Sequence, residues 1–335
     1  MIGVAVVGYG YWGPNLVRNF SLVDDARVVA VADQRGDRRA TVEKLYPTIR
    51  TYGAVEEMLA DPDVDAVAIA TPVSTHFPLA MQALRADKHV LVEKPMTSTV
   101  REGEALVAEA ESRGLTLMVD HTFIYTSAVR KIYELVNAGQ LGELYYYDSV
   151  RVNLGLFQHD VSVLWDLAVH DLSIMDFLIG RLPVRIAATG IAHVEGQPVN
   201  MAYLTCFFEG TTIAHFHVNW LAPVKVRQTL ICGSERMIVF DDLEGSEKVK
   251  VYDKGIVLGD PDEMNFEPRV GYRTGDMWAP RLDVTEALKV EAEHFVDCIR
   301  TGRKPDSDGQ AGLRVVHILE AATQSLANHG APVTI

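Results

Sequence analysis

Cysteine is scarce. Cys206, Cys232 and Cys298 are the only three, far apart and without C-x-x-C spacing, so neither a disulfide framework nor a zinc site is indicated and no metal is expected. Basic residues are in deficit too. Thirty-one Lys+Arg stand against forty-five Asp+Glu, a formal net charge of −14. A surface that acidic repels phosphate backbones and anionic lipid, which argues against nucleic-acid and membrane-surface partners. No apolar run approaches the roughly eighteen residues that a membrane-spanning helix needs. Residues 1–8 lack the basic n-region, long apolar core and small-residue cleavage site of a secretion signal. The sequence reads as a soluble cytoplasmic protein of a reducing compartment. What is present is ordinary for a globular chain: 335 residues, 48% hydrophobic and 23% charged, enough for two domains.

The first third alternates short apolar runs with amphipathic stretches. Runs at 2–7, 28–32, 66–70, 90–92 and 115–119 are rich in β-branched residues and nearly continuous, as strands buried on both faces are. Between them, helical patterns fall at 14–22, 37–46, 54–60, 76–86 and 99–113. Strand and helix in alternation imply right-handed βαβ units and a doubly wound parallel sheet. Breakers stand where the strands stop, at Gly8, Asp33, Thr71-Pro72 and Lys94-Pro95. Ligands bind at those carboxyl ends in an open α/β sheet.

Beyond about residue 140 the texture changes. Strand-like runs at 144–152, 184–193, 201–208, 212–220, 226–232, 237–241 and 249–252 are interrupted by one helical stretch, 161–178. Turn residues between several of them predict hairpins and a large, mainly antiparallel sheet. Residues 253–285 have no periodicity and read as a long loop or arm, and two helices at 286–301 and 309–328 close the chain. The expected α/β architecture is therefore a Rossmann domain over 1–122 followed by an α+β domain over 123–335.

Gly8-Tyr9-Gly10-Tyr11-Trp12-Gly13 fits G-x-G-x-x-G between the first strand and the first helix. The first glycine makes the tight turn, the second admits a pyrophosphate, and the third lets helix and strand pack closely. Pro14 suits a helix start. Asp33, twenty residues after Gly13, can accept both ribose hydroxyls. Glycine-rich turns also end ordinary strands, but strand, helix, acidic residue and N-terminal position here agree on dinucleotide binding. The carboxylate of Asp33 favours NAD because it repels a 2′-phosphate. Arg35 and Arg38 lie close enough to keep NADP open.

Glu93-Lys94-Pro95 closes the run at 90–92, where a lysine ammonium can stabilise charge on a substrate oxygen. A solvated lysine at a strand end is the plainer alternative. Asp166 and His170, four apart on the helical stretch, share one helix face. The carboxylate can orient the imidazole, making His170 a candidate general base. A buried histidine with a structural aspartate is the competing reading.

Fingerprint, E-K-P and D-x-x-x-H in this order resemble the glucose–fructose oxidoreductase, inositol dehydrogenase and rhizopine-catabolism (Gfo/Idh/MocA) oxidoreductase family, over essentially the whole chain. The resemblance implies a catalytic triad of Lys94, Asp166 and His170. It also places Thr71, Pro72 and His76 beside the nicotinamide half of the cofactor. With the fingerprint residues, Asp33, Gln34, Arg38, Glu93 and Lys94, these make up the expected cofactor contacts. Substrate contacts are expected from Lys94, His121, Tyr125, Asn153, Asp166 and His170; for Tyr125 an anchor at a helix start is an equal alternative. Two departures put an inositol-type substrate in doubt. Residues 161–165 replace a glycine-rich stretch, and Asp120-His121 stands where many polyol-oxidising members have Asn-Arg. The run around Trp165 is closer to the branch that oxidises sugar nucleotides, typically C3 of UDP-N-acetylhexosamines or their uronic acids. The implied activity is NAD(P)-dependent hydride transfer at a secondary alcohol of a sugar derivative, by a homodimer or homotetramer formed through the C-terminal sheet. An NAD-retaining glycoside hydrolase or lyase and a non-catalytic dinucleotide or sugar sensor are the rival readings.

Overall fold

The five apolar runs of the first third become strands, and a sixth strand joins them in one parallel sheet. In the computed structural model, which describes residues 1–155, 161–258 and 270–335, these are β1 (Ile2–Val7), β2 (Ala26–Ala32), β3 (Arg50–Tyr52), β4 (Ala66–Ile69), β5 (His89–Glu93) and β6 (Leu117–Asp120). The helices between them are α1 (Gly13–Phe20), α2 (Gly36–Leu45), α3 (Val55–Leu59), α4 (His76–Arg85) and α5 (Val100–Arg113). Strand order is β3-β2-β1-β4-β5-β6, the doubly wound arrangement whose order reverses between β1 and β4. Every residue of β4 and β6 is buried, because helices cover both faces of such a sheet. β3 escapes a hydrophobic reading of the sequence, since Arg50-Thr51-Tyr52 is a short, partly exposed edge strand. α5 shows how local chemistry sets an element's limits. Thr99 accepts the Glu102 amide at its start, and Gly114 ends it at φ +65°.

The second part opens with α6 (Ser127–Asn137), a helix whose Ala128, Val129, Ile132 and Leu135 are buried. That spacing is helical, although the stretch lies between the runs assigned from the sequence. Then follow β7 (Leu144–Leu154), a π-helical turn (Leu164–Ala168) and α7 (Val169–Ile179). The strands β8 (Arg185–Ile191), β9 (Met201–Phe207), β10 (Ile213–Asn219), β11 (Leu221–Gly233), β12 (Met237–Asp241) and β13 (Val249–Tyr252) come next. The expected uniform helix over 161–178 thus begins with a wider turn. Residues 253–285 are not simply a loop. They contain β14 (Gly255–Leu258), β15 (Val270–Arg273), which pairs with it, and β16 (Met277–Trp278), which joins β13. Residues 259–269 lie outside the described residues. Two helices, α8 (Ala287–Thr301) and α9 (Gly309–Ala327), and β17 (Val333–Thr334) end the chain.

Nine strands form the second sheet, in the order β16-β13-β12-β11-β7-β10-β9-β8-β17. Its described pairs are antiparallel except β7 with β10. No helix among the described residues is long and apolar enough to cross a membrane.

The chain forms two compact units, Met1–Thr126 with Thr285–Glu320, and Ser127–Val284 with Ala321–Ile335. The sequence division at residue 122 assigns the whole tail to the second domain; here residues 285–320 complete the first unit. The reason is packing: Phe295 of α8 meets Phe20 of α1 edge-on at 6.2 Å, and Glu286 accepts both guanidinium nitrogens of Arg18 at 2.8 and 2.6 Å.

Candidate active site

In the first unit, Gly8 leaves β1 at φ +91°, and a Cβ there would lie 2.5 Å from the Ala70 carbonyl oxygen. A Cβ on Gly13 would sit 2.1 Å from the Gly8 oxygen. The fold itself demands both glycines. Gly10 is different, because a Cβ there meets nothing nearer than Arg38 Nη1 at 3.5 Å. Its smallness leaves space beside the turn rather than relieving a clash. α1 begins with Pro14 in its first turn and no side chain capping its N–H groups, the arrangement that receives a diphosphate.

Asp33, 8% exposed, ends β2 under this turn. Its Oδ2 accepts the Tyr9 amide at 2.7 Å and Arg38 Nη1 at 3.3 Å, while Oδ1 accepts the Arg35 amide at 2.8 Å. Burial raises its pKa, but the two amides and Arg38 outweigh burial and hold the carboxyl below the usual carboxylate range. Asp33 is therefore an anion fixed beside the fingerprint, as a ribose partner requires. Tyr9 is buried, whereas Tyr11 and Gln34 are exposed. Together the open space at Gly10, the uncapped helix and the ionised Asp33 fit a dinucleotide.

Thr71 and Pro72 follow β4, and the Thr75 hydroxyl ties them together at 2.7 Å from each of Thr71 Oγ1 and the Pro72 oxygen. His76 is buried, with Nδ1 2.9 Å from the Pro95 carbonyl oxygen and Nε2 2.9 Å from that of Thr71. Burial lowers its pKa against the pull of the two carbonyls. Both ring nitrogens are engaged by backbone, so His76 braces the turn after β4 to the turn after β5. The resemblance implied a cofactor border for it; the structure shows both of its nitrogens occupied by backbone oxygens.

Lys94 follows β5, half-buried, and a cis peptide joins it to Pro95. Behind it lies a group of acids. Glu93 Oε2 accepts the Lys94 amide at 3.1 Å, and no well-placed donor reaches its buried Oε1. Asp120, its register partner on β6, accepts Trp12 Nε1 at 2.9 Å and the Thr122 hydroxyl. Glu291 of α8, 0% exposed, completes the group beside Asp120 and Thr122. Nothing in the sequence pointed to Glu291, because its partners are far away along the chain.

Two expected substrate contacts are instead interior. His121 is 2% exposed. Burial, opposed by Asp120 and aided by Lys94, pushes its pKa down to about 4, so the ring is neutral. Tyr125 is also buried; its hydroxyl meets Ser307 Oγ at 3.0 Å and its ring packs 5.3 Å from His294. It is the anchor that the alternative reading described.

In the second unit, Asp166 stands on the π-helical turn and His170 in the first turn of α7, both half-buried. Such wide turns are often found where a helix presents functional side chains. Trp220, the residue after β10, donates its indole N–H to Asp166 Oδ2 at 3.1 Å. Trp165 points elsewhere, donating to Thr323 Oγ1 at 3.0 Å. Next to His170, Asp171 forms a buried two-bond ion pair with Arg151, both bonds 2.8 Å. Arg151 is thereby engaged in holding α7 to β7. Asn153 is half-buried near the end of β7. A strand-end Trp next to Asn219 is the one faint signal of Trp220 in the sequence.

Residues 2–121 match the oxidoreductase family with an NAD-binding Rossmann fold, and residues 129–239 match the Gfo/Idh/MocA C-terminal domain. The UDP-N-acetylglucosamine 3-dehydrogenase of Acidithiobacillus ferrooxidans is 29% identical over 93% of this chain and 93% of its own. Its crystal structure superposes with a TM-score of 0.82 at 27% identity, covering 98% of this chain and 99% of that one. The myo-inositol 2-dehydrogenase of Thermotoga maritima is 24% identical over 96% of each chain. With both halves matched in order on the two units, the chain belongs to the Gfo/Idh/MocA family and is an NAD-dependent oxidoreductase.

Proposed function

We propose that the enzyme oxidises a secondary alcohol of a sugar or sugar derivative, with Lys94, Asp166 and His170 as its catalytic residues. The observation that carries this reading is the presentation of Asp166 and His170 on successive turns, half-buried, with the Asp166 carboxylate oriented by an indole N–H. A structural pair has no need of such a presentation. His170 takes the hydroxyl proton as general base, and Asp166 orients the ring and a neighbouring hydroxyl. The Lys94 ammonium stabilises the oxyanion that develops as the proton leaves. NAD, when bound, supplies the hydride acceptor; Gly8, Gly10 and Gly13 with the start of α1 would hold its diphosphate and Asp33 its ribose. Reduction of the keto-sugar uses the same groups in reverse.

C3 of a UDP-N-acetylhexosamine, or of its uronic acid, is the favoured position of attack. Similarity to the UDP-N-acetylglucosamine 3-dehydrogenase supports it. So does the engagement of Asp120 by Trp12 and Thr122, where many polyol-oxidising relatives have an asparagine. The test is dihydronicotinamide absorbance with NAD and, in turn, UDP-sugars, free hexoses, inositols and aminoglycoside-type pseudosugars. A rise with UDP-N-acetylhexosamines supports the full reading. A rise with another class keeps the chemistry and overturns the substrate. Silence with both NAD and NADP, but consumption of a glycoside, would mean that the cofactor is retained through a hydrolytic cycle.

A further inference from the structure

We infer that Trp220 is a positioning residue for the reaction, acting through Asp166. The inference rests on the proposed role of Asp166 and assigns a new residue to it. Trp220 is 1% exposed, yet its one polar atom is directed at a half-buried carboxylate. A buried indole N–H needs an acceptor, and the one it takes here is a carboxylate oxygen, Oδ2 of a helix residue fifty-four positions away. The backbone around it is fixed at two further points. The Trp220 amide donates to the Asn200 oxygen at 3.0 Å, and the Trp220 oxygen accepts the Gly155 amide at 3.1 Å. Gly155 lies against the indole, and a Cβ at that glycine would be 2.9 Å from Trp220 Cδ1. The backbone is thus pinned and Gly155 leaves room for the ring, while its N–H reaches the π-helical turn.

The Asp166 amide donates to the Ser162 oxygen at 3.1 Å, which fixes its backbone and leaves the side-chain torsions of the carboxylate as the remaining freedom. The indole removes that freedom: it captures one oxygen and leaves the carboxylate plane set relative to His170. A hydrogen bond to a charged group contributes about 1.5–3 kcal/mol. Applied to orientation in the transition state, that range corresponds to roughly ten- to hundredfold in rate. Asn219 beside it turns to its own strand, its Oδ1 accepting the amides of Leu221 and Ala222 at 3.1 and 2.9 Å.

Trp220→Phe keeps the aromatic fill and removes the donor. The expected result is a fall in kcat of about tenfold or more, a smaller change in the sugar KM and an unchanged NAD dissociation constant. In an Asp166→Asn background the same substitution should change kcat less than twofold, since its target is already altered. A β-(3-benzothienyl)alanine at position 220, introduced by nonsense suppression, retains the full indole shape and covers the case in which the phenylalanine variant does not fold. Apart from activity, the Trp220 indole N–H resonance in the whole protein should move when Asp166 becomes Asn. A kcat within twofold of the parent for the folded donor-less variant would overturn the inference. So would an equal loss in the parent and Asp166→Asn backgrounds, which would show that Trp220 acts independently of Asp166. If Asp166→Asn alone leaves kcat intact, the catalytic role of Asp166 fails on its own account. An unmoved indole resonance would then remove the Trp220 contact as well.

Discussion

Glu93 and Asp120 stand in register at the carboxyl ends of neighbouring parallel strands, so two acidic side chains share one buried strand end. Like charges so placed disfavour ionising both. Burial first, and Asp120 second, push the pKa of Glu93 well above the usual range, against the opposing Lys94 ammonium and its own amide bond. Glu291 is raised for the same reasons, by burial and then Asp120. The E-K-P glutamate thus holds its proton more tightly than a free glutamate does, beside a lysine.

This has a consequence for stability against pH. A carboxyl raised in the folded state binds more protons there than in the unfolded chain, so stability is full below the ordinary glutamate pKa and falls as pH climbs above it. Glu291→Gln keeps the shape and removes the titration. Its melting temperature should exceed that of the parent at pH 8 by about 2–4 °C and match it near pH 4.5. Thermal scans across that range decide; a variant less stable at both pH values would show that ionised Glu291 is useful.

Lys94→Ala should lower kcat by a factor on the order of a thousand while leaving the NAD dissociation constant within about threefold, because its ammonium acts on developing charge. Steady-state rates with an equilibrium cofactor titration separate the two. Full activity in the variant would remove Lys94 from the catalytic group.

The glycines of the fingerprint should divide by mechanism. Gly13→Ala places a methyl 2.1 Å from the Gly8 oxygen and should cost about 2–4 kcal/mol of stability. Gly10→Ala meets no such contact, so the cofactor-free protein should keep its stability to within about 0.5 kcal/mol, and NAD affinity should fall at least tenfold. Denaturant melts and cofactor titrations of both variants test this. A Gly10→Ala protein that binds NAD normally would move the diphosphate away from this turn.

Asp33→Ala should weaken NAD binding by roughly ten- to a hundredfold, the loss of charge-assisted hydrogen bonds to two hydroxyls. With the carboxylate gone, Arg38 is released from its 3.3 Å contact, and NADP affinity should rise relative to NAD. Titration with both cofactors checks the ratio.

The parallel sheet was legible because a strand buried on both faces must be apolar at nearly every position, as in β4 and β6, and because the breakers fall where its strands stop. β3 was not, since an edge strand of Arg50-Thr51-Tyr52 needs no apolar face. The fingerprint and Asp33 could be read together because a turn, a helix start and the next strand's end lie at a fixed separation along the chain. The spacing of Asp166 and His170 could be read as well, though the π-helical turn that carries Asp166 could not.

By itself, then, the sequence determined whatever depends on short-range geometry: strand and helix periodicities, the glycines that avoid backbone clashes, and which ionisable residues sit at strand ends. Tertiary structure decided what those groups are free to do. Tyr125 is closed off by Ser307, Arg151 by Asp171, and His76 by two carbonyls, while Glu291 and Trp220 gain their parts from partners distant in the chain. Burial and hydrogen-bond partnership are properties of the folded surroundings, and a residue's own identity contains neither.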